Sequence, residues 1–323
     1  PLTFLSETRA DTPVVLELSS WQLGDLAHCP QLKPKIALLT HIMPDHQNWY
    51  GSMERYVADK KIIYRNQDAT DYTVCNYDDG WGKVFAQETA GQVLWYSAHP
   101  LPPHLAGAWI APDGSARIRL KPGDDRLLLP PQLAVPGAAL KQNVMAASLA
   151  LALYGVDVQH IPPTMQNYGG IPHRLEFFYE TEQFKFYNDS AATIPEAAAA
   201  AVNAFEKPVI LITGGTDKKL DFTALAPELK KAKALFLVAG TGTDKLTPLL
   251  KAQHTPYFGP FQDLSTLLEA VRSECEHAPQ SNHAAEQNIV VFSPGATSFG
   301  MFKNEFDRGL RFKEAVQKYW RKV

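Results

Sequence analysis

Cysteine is scarce in this 323-residue chain. Cys29, Cys75 and Cys275 are odd in number, scattered, and form no CxxC pair. No disulfide framework is written here, and a reducing compartment, the cytoplasm, is expected. Charge of one sign is not in excess either: 31 Lys and Arg against 34 Asp and Glu leave a net −3. That excludes nucleic-acid binding driven by phosphate neutralisation. Long apolar runs are also missing. The longest, around 147–153 and 234–239, fall far short of the roughly 20 residues that span a bilayer, so no membrane insertion is expected. No GxxxxGK[ST] occurs, so the chain carries no Walker A phosphate loop. It opens PLTFLSETRA, with neither Met nor a basic-then-apolar leader. From that start, an upstream segment is expected to have been removed.

What is present suits a globular α/β protein of about two domains. Hydrophobic residues make up 45%, enough to build a core in each. VVLEL (14–18) and IALLT (36–40) read as strands buried on both faces, followed by a helix at 52–66 and a strand at 71–76. Between 92 and 135 lie shorter apolar runs broken by Pro112-Asp113-Gly114, which predict a small antiparallel sheet. A helix over 141–154 and a Pro/Gly-rich passage at 161–172 follow. The second half alternates again. Strands are expected at 184–189, 209–213, 234–240 and 289–293, and helices at Pro195–Glu206 and about 304–320. This half reads as a doubly wound domain by itself.

Several residues stand where such sheets do chemistry. Glu17 is placed at the end of an expected strand, where an acid can hold Mg²⁺ beside phosphates or act as a cap or ion pair. Asp45-His46 follows the next strand. In the helix after Ser52, the residues Met53, Tyr56, Val57, Ile63 and Tyr64 keep a 3.6 period, which puts Lys60 in the middle of the inward face and Lys61 on its flank. Two readings of Lys60 stay open. It snorkels, its stem packed and its tip in water, or it is neutral and takes up CO₂ as a metal-ligating carbamate. Arg174, at the end of the Pro/Gly-rich passage, suits a phosphate or an interdomain ion pair. Three strand-end loops, 188–190, 214–218 and 293–298, converge on one rim, with a Gly pair for close approach and a basic residue and hydroxyls for an anionic small molecule. Gly240-Thr241-Gly242 lacks the third glycine of a dinucleotide fingerprint.

In this order the motifs resemble the Mur ligases of bacterial cell-wall synthesis. The segments are VLELSSWQL (15–23), MPDHQNWYGSMERYVADKKIIY (43–64), GIPHRLEFF (170–178), FYNDSAAT (186–193), ITGGTDKKLDF (212–222) and SPGATSFGMFKNEFDRG (293–309). They are most similar to the branch that joins glutamate to UDP-N-acetylmuramoyl-L-alanine. The resemblance implies part of a central ATPase domain over 1–176, with a parallel sheet plus a small antiparallel sheet, its N-terminal part and Walker A loop missing. A Rossmann-like C-terminal domain for glutamate and nucleotide follows over 177–323.

The resemblance also implies an ATP-dependent, ADP-forming ligase working through an acyl phosphate in peptidoglycan precursor synthesis, as a cytoplasmic monomer; without the phosphate loop, this chain by itself is expected to be an inactive fragment. The acyl phosphate is attacked by the amine of glutamate, and phosphate leaves. On this resemblance Glu17 binds one Mg²⁺, and His46 and a carbamylated Lys60 serve a second. Ser19 and Gln22 touch the muramoyl substrate. Asn143, Arg174 and Asp189 hold ATP. Thr193, Lys218, Ser298 and Phe299 form the pocket for glutamate.

Some positions depart from the family pattern. Ala191 stands where a lysine is usual, Ala139-Leu140 where His-Asn is usual, Asn48-Trp49 where Asp-Arg is usual, and Glu305-Phe306 reverses the usual aromatic–acid order. Two of these bear on the amino-acid pocket, so L-glutamate or another amino acid is an alternative to D-glutamate. A folate-polyglutamate-type ligase is a second alternative, and a non-catalytic fragment that binds nucleotide or amino acid is a third.

Overall fold

The structure, a computed structural model, describes residues 6–43, 47–218, 220–277, 287–298 and 302–320. It divides into two compact units: residues 1–128 with 145–161, and residues 129–144 with 162–323.

The first unit is built on one six-stranded sheet, in the order β1 (Ile36–Leu38), β2 (Tyr72–Asn76), β3 (Gln92–Ser97), β4 (Gly107–Ile110), β5 (Ala116–Arg119) and β6 (Asp125–Leu129). Strands β1 to β4 run parallel, and β5 turns back antiparallel on β4 with Gly107 opposite Arg119. The parallel and antiparallel parts are thus one continuous sheet. The run at 92–97, expected in a separate antiparallel sheet, is instead a parallel neighbour of β2. The turn at Pro112-Asp113-Gly114 is where expected: Asp113 Oδ1 accepts the Ser115 N–H at 2.9 Å, and Gly114 takes φ +79°.

Helices α1 (Ser20–Asp25), α2 (Gln47–Tyr50), α3 (Met53–Lys61) and α4 (Gly80–Glu88) belong to this unit. Ser52 caps α3 by accepting the Arg55 N–H, and Glu54 in the first turn with Lys60 and Lys61 in the last complements the helix dipole. Tyr56 and Val57 of α3 and Phe85 of α4 pack on Ala37 and Cys75 of β1 and β2.

One expected strand is absent. Residues 14–18 form no strand, and Val14, Val15 and Leu16 are 65%, 94% and 55% exposed. Composition alone cannot make a strand, because its N–H and C=O groups need a partner strand. Among the described residues β1 pairs only with β2.

Helices α5 (Ala138–Tyr154) and α6 (Ile161–Gln166) lead into the second unit. Its sheet has the order β11 (Phe258–Phe261), β10 (Ala234–Val238), β9 (Ile210–Thr213), β12 (Asn288–Phe292), β8 (Phe184–Asn188), β7 (Glu176–Glu180). All are parallel except the edge strand β7.

Both faces are apolar with period 2, which is why these strands read as continuous hydrophobic runs. Leu211, Leu235, Leu237 and Val291 face α7 (Pro195–Val202), α8 (Leu225–Glu228) and α9 (Thr241–Ala252). Phe184, Phe186, Ile210, Ile212, Phe236 and Phe292 face α10 (Leu264–His277) and α11 (Glu305–Tyr319). This is the doubly wound arrangement expected. The edge strands β7 and β11 were not legible. Phe258–Phe261 carries Gly-Pro, a pair that only an edge accommodates.

Candidate functional site

The loops after β8, β9, β10 and β12 lie at one end of four neighbouring parallel strands. They are stitched together by backbone. Thr216 and Thr297 exchange N–H···O bonds at 3.1 and 3.0 Å, and Gly242 donates to Gly215 O at 2.8 Å. Gly214 and Gly215 take φ +102° and +141°, and a Cβ on Gly214 would collide with Thr243 Oγ1. Only glycine lets these two loops approach so closely. Gly295 N–H donates to Ala192 O at 3.0 Å, joining the loop after β8 to that after β12.

The rim therefore gathers several expected residues. Ser298 is buried next to the Thr216–Thr297 bridge, and Lys218 is exposed two residues beyond it. Thr193, half-buried, follows the Ala192–Gly295 contact. Phe299 lies outside the described residues.

Asp189 directly follows β8 and is 6% exposed. Ser293 donates to its Oδ2 at 2.6 Å, and the Leu175 N–H to its Oδ1 at 3.1 Å. Burial pushes its carboxyl up to about 6, against these two bonds and the nearby Arg174 and Arg308. Arg174 is exposed and donates to Ala191 O at 3.1 Å.

Its neighbours are pinned. His173 (φ +65°) is buried, with its Nδ1 3.0 Å from both Ser190 Oγ and Asn188 Nδ2. With the Asn188 amide donating, Nδ1 accepts and the ring proton sits on Nε2. Burial, with Lys313 nearby, holds the imidazole below its usual range, while Glu176 works the other way.

Sequence reasoning missed two parts of this site. Arg308 in α11 is 2% exposed, and its Nη1 and Nη2 donate to Ala296 O at 2.9 Å and Ser190 O at 2.8 Å. Burial brings the guanidinium down to about 10, so it stays cationic at neutral pH. The signal was available: Arg308, Phe312 and Val316 recur at i, i+4 and i+8, so an arginine stands on the buried stripe of its helix. The second part is Glu176, which accepts from the His173 N–H, from Asn188 and from Lys313.

In the first unit the expected residues are placed differently. Glu17 is exposed, in the irregular segment before α1 rather than at a strand end. Ser19 and Gln22 engage each other. The Gln22 N–H donates to Ser19 Oγ at 3.3 Å and the Ser19 N–H to Gln22 Oε1 at 2.8 Å, a capping box that starts α1. Lys60 is half-buried with Nζ 6.0 Å from the centre of the Tyr56 ring, while Lys61 pairs with Glu88 at 2.7 Å. Lys61 is half-buried as well. His46 lies outside the described residues. Asn143 is exposed on α5, in the part of that helix belonging to the second unit. Among the described residues no three His, Cys, Asp or Glu side chains gather as a ready metal cage.

Comparison with known proteins agrees across the chain. Residues 1–151 match the Mur ligase middle domain and residues 173–296 the Mur ligase, glutamate ligase domain. The UDP-N-acetylmuramoylalanine–D-glutamate ligase of Treponema pallidum is 40% identical, the match covering 98% of this chain and 70% of that protein. Its namesake from Roseiflexus is 37% identical, covering 96% of this chain and 66% of that protein. The chain spans about two thirds of the length of the curated relatives it matches. Among solved structures, the Thermotoga maritima MurF ligase in complex with ADP aligns with a TM-score of 0.63 at 15% identity, covering 92% of this chain and 66% of that one. The UDP-N-acetylmuramate-alanine ligase MurC of the same organism aligns at 0.61 and 16%, covering 91% and 62%. At these identities the structural matches speak for the fold.

Proposed function

We propose, since the chain belongs to the Mur ligase family, that the protein it forms joins glutamate to UDP-N-acetylmuramoyl-L-alanine at the expense of ATP. The observation that carries this is the 40% identity to a D-glutamate ligase over 98% of the chain. The relatives' names favour the D enantiomer over the L-glutamate alternative. The functional division near residue 176, the cytoplasmic setting and the monomeric state belong to the same proposal. Among the described residues no helix is long and apolar enough to cross a membrane.

The reaction proceeds in two steps. The muramoyl substrate's carboxylate takes the γ-phosphoryl group and ADP leaves. The glutamate amine then attacks the acyl carbon, and phosphate departs with the electron pair. The protein's part is to position and to neutralise charge.

Asp189 and Arg174 take the nucleotide at the rim, with Asn143 of α5 as a further contact. A carboxylate suits ribose hydroxyls as an acceptor, and an exposed guanidinium suits a phosphate. Lys218, exposed beside the Thr216–Thr297 bridge, pairs with a glutamate carboxylate, and Thr193, Ser298 and Phe299 line that pocket. Ser19 and Gln22 contact the muramoyl group.

Mg²⁺ neutralises transferring phosphates when bound, and it asks the protein for only one or two oxygen donors. Exposed Glu17 and a carbamate on half-buried Lys60 would supply such oxygens, with His46 assigned beside them. The test is phosphate release by the full-length protein. Release that requires both UDP-N-acetylmuramoyl-L-alanine and glutamate, with a product heavier by one glutamyl residue, supports the reading. ATP consumption indifferent to the muramoyl substrate rejects it.

A further inference from the structure

Arg174 stands between two residues in the left-handed region, His173 at φ +65° and Leu175 at φ +43°. Leucine is rarely found there and histidine is uncommon, so such conformations persist where the surroundings over-determine them. The surroundings here are specific. The Leu175 N–H donates to Asp189 Oδ1, and the Ala191 N–H to His173 O at 3.1 Å. The His173 N–H donates to Glu176 Oε2 at 3.0 Å. The same oxygen takes the Asn188 amide at 3.1 Å, and Lys313 of α11 closes on Glu176 Oε1 at 2.5 Å. Phe306 stands edge-on to the His173 ring at 5.4 Å. A Cβ on Gly309 would collide with His173 Nδ1 and Ser190 Oγ, so α11 lies flush against the turn.

The outcome is a turn whose flanking side chains are buried and whose middle residue, Arg174, faces out. The Glu176 carboxylate is the hub, joining the turn, the end of β8 and α11. It is one-sixth exposed and its partner one-quarter, so the pair is shielded from much of the solvent that weakens surface ion pairs.

We infer that Glu176 and Lys313 are positioning residues: their ion pair holds the strained turn that presents Arg174, and thereby sets the affinity of the rim for a nucleotide. This rests on the assignment of Arg174 to the nucleotide. Neither residue touches substrate. Their effect runs through Arg174, so it should fall on nucleotide affinity and spare Lys218 and Ser298 of the amino-acid pocket, which sit on the loops after β9 and β12.

The test uses the full-length protein carrying Lys313→Met, Glu176→Gln or Lys313→Arg, with ADP and Mg²⁺ as the calorimetric probe. Lys313→Met and Glu176→Gln should weaken ADP binding about tenfold or more, in the range seen when partners of ligating residues are removed. They should raise KM for ATP to a similar extent and leave KM for glutamate within twofold. Lys313→Arg, which keeps charge and reach, should retain most of the affinity. Unchanged ADP binding in Lys313→Met, or equal losses for ATP and glutamate, would overturn the inference.

Glu176→Gln keeps an acceptor for the His173 N–H and so guards against simple unfolding. Side-chain ¹⁵N relaxation of Arg174 supplies a readout independent of turnover: the order parameter of its Nε–H should drop in Lys313→Met, and an unaltered value counts against the clasp. Wild-type protein that binds ADP yet forms no product sinks the ligase reading alone. If it binds no ADP, the inference falls whatever the order parameter shows.

Discussion

The guanidinium of Arg308 donates to the carbonyl of Ser190 at 2.8 Å, fastening α11 to a strand end 118 positions earlier in the chain. Its other arm holds Ala296 O. Arg308→Ala removes a fully buried side chain and orphans two buried carbonyls. Each unsatisfied group costs about 1–3 kcal/mol, so a loss of roughly 3 kcal/mol or more is expected in urea denaturation. A loss below about 1 kcal/mol would show that the loops do not depend on this bond.

Asp189 gives the rim a pH dependence of defined sign. Its folded pKa of about 6 lies above the roughly 3.9 of an unfolded aspartate. Between these values the folded protein holds a proton that the unfolded chain has lost, so this group's contribution to stability falls as pH rises. Above pH 6 the buried charge costs about 2–3 kcal/mol. Asp189→Asn should therefore be more stable than the parent at pH 7.5, since Ser293 can rotate its hydroxyl and Asn still accepts from the Leu175 N–H. The gap should close as the pH is lowered to 4, and urea midpoints at both pH values check it.

Lys218→Ala tests the amino-acid pocket. A charge-assisted bond is worth about 1.5–3 kcal/mol, so KM for glutamate should rise about tenfold or more with KM for ATP little changed. An equal rise in both would place Lys218 elsewhere.

Lys60→Ala tests the carbamate. If Lys60 carries a metal-ligating carbamate, phosphate release by the full-length protein should fall about 100-fold or more, and added bicarbonate should not restore it. Turnover at the parent rate would leave Lys60 as a lysine packed along Tyr56.

Much of the second unit was legible because burial on both faces forces unbroken apolar strands, as at Ile210–Thr213 and Ala234–Val238. The same rule misled at 14–18, since pairing is a property of two segments and only one was read. The hairpin of β4 and β5 followed from its turn residues, but the direction of β3 depends on a crossover that local composition does not encode. Ser19 and Gln22 are spaced as a capping box, and the structure uses them so, whatever they contact besides. Lys60 and Lys61 were distinguished by helical period alone. Arg308, Glu176 and Lys313 escaped notice because their partners are backbone groups or residues far away in the chain.

The bare stretch Val14–Leu16 has a practical consequence. An exposed apolar segment invites like molecules to pack on it. This 323-residue form will fail colloidally before it fails conformationally. Light scattering will climb with concentration while the second unit's spectroscopic signals stay intact, and Val15→Lys will delay that turbidity without moving the melting temperature.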